Sequence, residues 1–160
     1  MKKFLSLVLG VMILAGCFGV DARAEEVTYP KVFHTYTTTE EFASDAWETA
    51  QKGAYLLSGT SSIAKPDNTH VNISGFTDAT RVCDKVRLTL YLERSKSYAT
   101  GYSTYKSYYY TADNDYSIAK GVSNISVERG YYYRVKGVHS VQEGSVIETT
   151  DSVTNPIDFR

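Results

Sequence analysis

The sequence predicts an all-β domain, an immunoglobulin-like antiparallel β-sandwich of about seven strands. Three observations carry that expectation. Over 86–93, Val86, Leu88, Leu90 and Leu92 alternate with Arg87, Thr89, Tyr91 and Glu93, the two-residue period of a half-buried strand. The alternation returns over 131–136, with Tyr131, Tyr133 and Val135 on one face and Tyr132, Arg134 and Lys136 on the other. Other strand-like runs recur at a spacing of roughly 8–15 residues with turn residues between most of them, which suits a sandwich or a small barrel and not βαβ units. The diagnostic Cys…Trp…Cys core of antibody domains is missing, because Cys83 stands alone and Trp47 precedes the strands.

The chain begins with a secretory pattern over 1–24. Lys2 and Lys3 precede an apolar run from Phe4 to Gly16, too short for a membrane span of roughly 20 residues. Two processing sites compete. Ala22-Arg23-Ala24 places the new N-terminus at Glu25, the favoured reading, whereas Leu14-Ala15-Gly16-Cys17 reads as a lipobox with Cys17 as the lipidated residue. Secretion is the first expectation, and a lipid anchor on the outer face of the cell membrane is the alternative. Residues 25–52 form an N-terminal arm. Within it Thr38-x-x-Glu41 resembles a capping box, and Phe42, Ala43, Ala46, Trp47 and Ala50 form a helical stripe. A short helix over 40–51 is expected, with an irregular arm on a sheet edge as the alternative.

Residues 53–160 are the β domain. Strands are expected over 54–63, 70–76, 86–93, 102–111, 122–128, 131–140 and 145–154, the last with a bulge or at an edge. Lys65-Pro66-Asp67-Asn68 and Asp113-Asn114-Asp115 read as turns. The stretch from Glu128 to Ser140 is the strongest strand signal, and the others are read as its partners.

Charge narrows the partners. Loss of residues 1–24 takes Lys2, Lys3, Arg23 and Asp21 from 17 basic and 18 acidic residues, leaving 14 and 17. That balance gives no general attraction to nucleic acid, and a membrane is met only through a lipid on Cys17. After Ala24 only Cys83 remains, so no intramolecular disulfide can form.

Catalytic patterns are weak. Cys83 and His139 are the only thiol and imidazole worth pairing, and Cys83 lies beside Asp84 with no helix N-terminus to activate it. His34, His70 and His139 lack metal-ligand spacing. Thr111-Ala112-Asp113-Asn114-Asp115 offers oxygen ligands without an EF-hand's glycine and distal glutamate. Glu93, Glu128 and Glu148 read as outward, solubilising residues, and Asn72 and Asn124 as outward strand residues. No cofactor, metal or catalytic residue is implied.

Two segments resemble a known family. Gly53-Ala54-Tyr55-Leu56-Leu57-Ser58-Gly59-Thr60-Ser61-Ser62-Ile63 matches one part of its pattern. Gly130-Tyr131-Tyr132-Tyr133-Arg134-Val135, His139, Glu148-Thr149-Thr150-Asp151-Ser152 and Thr154 match the other. The family resembled is a set of small exported proteins of Gram-positive, clostridial-type bacteria, a domain of unknown function. The resemblance covers about 53–158 and implies export and a compact β domain, with no activity to carry over.

Tyrosine is the unusual component: ten of the 14 lie between Tyr98 and Tyr133. Tyrosine suits strands for packing alone, and it is also enriched at binding surfaces. Adjacent strands at 86–93 and 131–140 would put Arg87, Tyr91, Tyr132, Arg134 and Lys136 on one outward face. The strand at 102–111 would add Tyr105 and Tyr109, or Tyr108 and Tyr110. This is the candidate binding face, for a glycan, a cell-wall polymer or a surface protein. A non-enzymatic surface module is the first functional reading, a self-assembling structural protein the second and a small hydrolase the third.

Overall fold

The computed structural model describes residues 41–48 and 54–160. The signal and lipobox residues, including Cys17, lie outside the described residues. Seven strands form one antiparallel sheet: β1 (Glu41–Glu48), β2 (Leu56–Lys65), β3 (His70–Ser95), β4 (Ser103–Ser126), β5 (Tyr132–Glu143), β6 (Val146–Val153) and β7 (Ile157–Asp158). No helix is present among the described residues.

β3 is the spine. On one side it pairs with β4 from His70 to Arg94. On the other side β2 takes its first half, up to Ala79, and β5 takes its second half, from Lys85. β1 extends the first wing and β6 the second. The wings fold together, with β2 against β5 and β6 and β1 against β6, so the sheet nearly closes into a barrel. The bend comes from a bulge. Between Asp78 and Cys83, β3 advances five residues while β4 moves only from Ser117 to Asp115. Unpaired extra residues bend and twist a strand.

Apolar side chains from both halves of β3 meet inside. Val71 and Ile73 face Val86, Leu88, Leu90 and Leu92, joined by Ile63, Tyr133, Val135 and Val141. A polar thread crosses this core. His139 is fully buried, with Nδ1 hydrogen-bonded to the Thr77 hydroxyl at 2.9 Å and Nε2 to the Ser152 hydroxyl at 2.8 Å. Ser152 in turn donates to Ser61 at 2.8 Å. The imidazole fits because two neighbours lack side chains: a Cβ on Gly59 would stand 2.3 Å from its Cγ, and one on Gly137 2.8 Å from its Nε2.

A carboxylate ties the two wings together. Glu148 of β6 accepts hydrogen bonds from the backbone N–H groups of Ala54, Tyr55 and Leu56 at 2.7, 3.0 and 2.7 Å. Burial pushes this carboxyl up, but the three donors together hold it below the ordinary glutamate range.

Several expectations change. The sheet is one folded surface where an immunoglobulin-like sandwich has two, so that expectation is met only as an all-β, antiparallel domain. Where a helix over 40–51 is expected, the described part, Glu41–Glu48, is a strand on the edge beside β2; pairing with an exposed edge outweighs a helical pattern. The runs at 70–76 and 86–93 are one strand, as are those at 102–111 and 122–128. Asp113-Asn114-Asp115 is therefore no turn. Asn114 takes a left-handed conformation (φ 52°) within β4, which asparagine tolerates without ending the strand. Glu148 is a structural clasp and not a solubilising residue. Arg87 and Arg134 are half-buried, since long side chains lie along the sheet they decorate.

Candidate binding face

Directly opposed residues of antiparallel strands share a face. Arg87 opposes Ser140, Tyr91 opposes Lys136, Glu93 opposes Arg134 and Ser95 opposes Tyr132. Arg87, Tyr91, Tyr132, Arg134 and Lys136 thus lie on the side of the sheet away from Leu88, Leu90 and Val135, which are fully buried. β4 adds Tyr109, which opposes Thr89 on the same side. Tyr108 and Tyr110 oppose Leu90 and Leu88 and pack against the core. Tyr105 is the extra residue where the register shifts between Leu92 and Glu93, and its ring stands 5.8 Å from that of buried Tyr133.

The aromatic groups form two clusters. In the first, Tyr91 and Tyr109 meet edge to face at 6.2 Å, and Tyr109 is 69% exposed. Burial, and then the adjacent Tyr109 phenol, push the Tyr91 hydroxyl up. In the second, Tyr132 meets Tyr98 at 5.5 Å and carries the Arg160 guanidinium at 4.3 Å. Between the clusters Arg134 lies 3.9 Å over the Tyr102 ring. A cation over an exposed ring contributes about 0.5–1 kcal/mol, so Tyr102 and Tyr132 are held in place and partly covered, whereas Tyr109 is open.

The basic groups are paired. Arg134 Nε donates to Glu93 at 2.7 Å and Lys136 Nζ bonds Asp151 at 2.8 Å. The bond to Asp151 holds the Lys136 ammonium above its ordinary pKa. Arg160 pairs with Asp158 at 2.8 Å, and Arg87 donates to the Gln142 amide oxygen at 2.6 Å. The face therefore presents rings beside neutralised ion pairs, and only Arg87, held by a neutral amide, keeps an uncompensated charge.

The model of DUF6147, a family of unknown function, matches residues 21–157. The chain belongs to this family. No curated protein and no solved structure matches it significantly.

The remaining sequence candidates are dispersed in this DUF6147 domain. Cys83 is buried, and its thiol is pushed up by burial and then by the Glu143 carboxylate, the opposite of nucleophile activation. His139 opposes Leu88, five residues further along β3, or roughly 16 Å at strand rise. Asp113 is tied to Lys85 at 2.7 Å and Asp115 accepts from the Tyr116 N–H. Among the described residues no group of three or more His, Cys, Asp or Glu side chains is placed to hold a metal ion. Sequence reasoning offered Tyr109 as one of two alternatives without choosing between them, and missed Asp151 and Glu93 as charge partners and Glu148 as the clasp. Alternation marks a face but does not show which opposite charges meet across strands.

Proposed function

We propose that the chain is an exported, non-enzymatic binding module of the bacterial surface, and that the outer face of β3, β4 and β5 takes a neutral polysaccharide of the cell wall or of a glycan coat. The carrying observation is the Tyr91–Tyr109 pair, with Tyr109 open to solvent and Tyr91 beside Lys136–Asp151. Sugar rings present apolar C–H faces that stack on aromatics, and their hydroxyls need donors and acceptors together. An ammonium–carboxylate pair supplies both. An acidic polymer fits this face less well, because Arg134 and Lys136 already hold carboxylates. Export rests on the basic and apolar pattern of residues 1–24, with release at Ala24 favoured over a lipid on Cys17.

Retention of the purified chain on wall polysaccharide tests the reading. Tyr91→Ala with Tyr109→Ala should abolish retention while circular dichroism stays unchanged. Unchanged retention, or none by the wild type on any wall or glycan fraction, would refute it.

One observation favours a second reading, self-assembly. β4 pairs on one side only among the described residues, leaving a 24-residue edge, and a free edge is a template for another strand. Asn114 and Asn124, both with positive φ, interrupt that edge, as edges that avoid pairing do. Concentration-dependent size-exclusion behaviour would favour assembly, and a constant monomer would disfavour it.

A further inference from the structure

A second feature lies at the turn of the β3–β4 hairpin. A shallow cleft of about 440 Å³ is lined by Arg94, Lys96, Ser97, Thr100, Ser103 and Tyr131, with Ser95 and Gly101 completing it. We propose that this cleft binds a phosphate group, free or as the ester of a larger molecule. The proposal does not depend on the polysaccharide reading of the outer face.

Arg94 is pre-positioned. Its guanidinium lies between two rings, 4.5 Å from the centroid of Tyr105 and 4.5 Å from that of Tyr131. Glu128 approaches Nη1 at 2.9 Å. Nη1 is itself buried and committed to that carboxylate, so it is the 26% of the Arg94 side chain left exposed that the cleft can use. A guanidinium fixed by stacking loses little further freedom on gripping an oxyanion. Lys96 is the second cation, 5.8 Å from the Tyr131 centroid and with no carboxylate partner among the described residues. Glu128 is the acidic group paired at this end, so the cleft keeps a positive excess, unlike the largely neutralised outer face.

The hydroxyls complete the donor set. Ser95 Oγ is spent, donating to the Thr100 carbonyl at 2.5 Å and accepting from the Ser97 N–H at 3.0 Å, which fixes the loop. The hydroxyls of Ser97, Thr100 and Ser103 have no partner among the described residues. Two cations and three hydroxyls along one cleft offer more donors than a planar carboxylate can accept, and suit a tetrahedral group with several acceptor oxygens. The volume exceeds that of a lone phosphate and lies in the range of organic ligand sites, which favours an ester.

The test is an amide-resolved NMR titration of the full chain with inorganic phosphate, glycerol phosphate and acetate at constant ionic strength. Saturable shifts confined to residues 94–103 and 131 are expected with both phosphates and not with acetate, and the tighter of the two identifies the source as free ion or ester. Lys96→Glu, on an exposed loop away from the core, should weaken binding about tenfold or more. Tyr91→Ala with Tyr109→Ala should leave the titration unchanged. Equal shifts with acetate, absence of saturation, or wild-type affinity in Lys96→Glu would overturn the proposal.

Discussion

At the scale of single residues, Glu148 does more than its surface position implies. Three backbone donors converge on one carboxylate, and each hydrogen bond to a charged group is typically worth about 1.5–3 kcal/mol. Partial solvent access reduces the sum, so Glu148→Ala should lower stability by about 1–3 kcal/mol in urea unfolding at neutral pH. The pH dependence has a definite sign. The folded carboxyl titrates below its unfolded value, so its contribution is present in full above the unfolded pKa and is lost as pH falls through the lower, folded one. Wild type and Glu148→Ala should therefore converge in acid, and a constant difference down to low pH would show that the clasp is not ionic. Cys83 provides a second residue-scale check. It is buried, with its thiol pushed up, so native protein should resist alkylation near neutral pH and denatured protein should react fully. Rapid native labelling would contradict its placement. Much of this scale was legible in advance: parity put Leu88, Leu90 and Val135 inside, and they are fully buried. Partners were not legible, because Glu148 meets residues 92 to 94 positions away and nothing local announces that contact.

At the scale of elements, the two long strands decide the architecture. Polar residues between Thr77 and Lys85 break the alternation and mimic a loop. The backbone nevertheless stays bonded, partly through Thr80, whose N–H donates to the Tyr55 carbonyl at 2.8 Å. Side-chain period reports which residues are buried, and ladder continuity is a separate property. This is why strands at 70–76 and 86–93 were readable while their union was not. The Phe42–Ala50 stripe misled for a related reason: a helical spacing over two turns also fits an edge strand once a partner edge is at hand. The element-scale predictions concern packing across the wings. Leu90→Ala should cost about 2–5 kcal/mol, and a midpoint that barely moves would mean the strand is in another register. Gly59→Ala drives a methyl into the His139 ring and should destabilise by about 1–3 kcal/mol or more. Combined with His139→Ala, most of that penalty should vanish. A strictly additive double mutant would separate the two positions in space.

At the scale of the whole molecule, a nearly closed sheet keeps its apolar side inward and leaves one broad outer surface on β3, β4 and β5. That surface was the most legible functional feature, since alternation alone brings Tyr91, Arg134 and Lys136 to one side. Its electrostatic character was not legible. Glu93 and Asp151 neutralise Arg134 and Lys136, which weighs against an acidic polymer and for a neutral sugar chain as the proposed ligand. The hairpin cleft at Arg94 and Lys96 carries the opposite character, so the molecule offers two chemically distinct surfaces. Tyrosine-selective NMR during titration with soluble wall polysaccharide fragments tests the central claim most directly. The account predicts that ring resonances of Tyr91 and Tyr109 shift and saturate together while those of buried Tyr133 stay fixed. Binding that leaves Tyr91 and Tyr109 unmoved would contradict it.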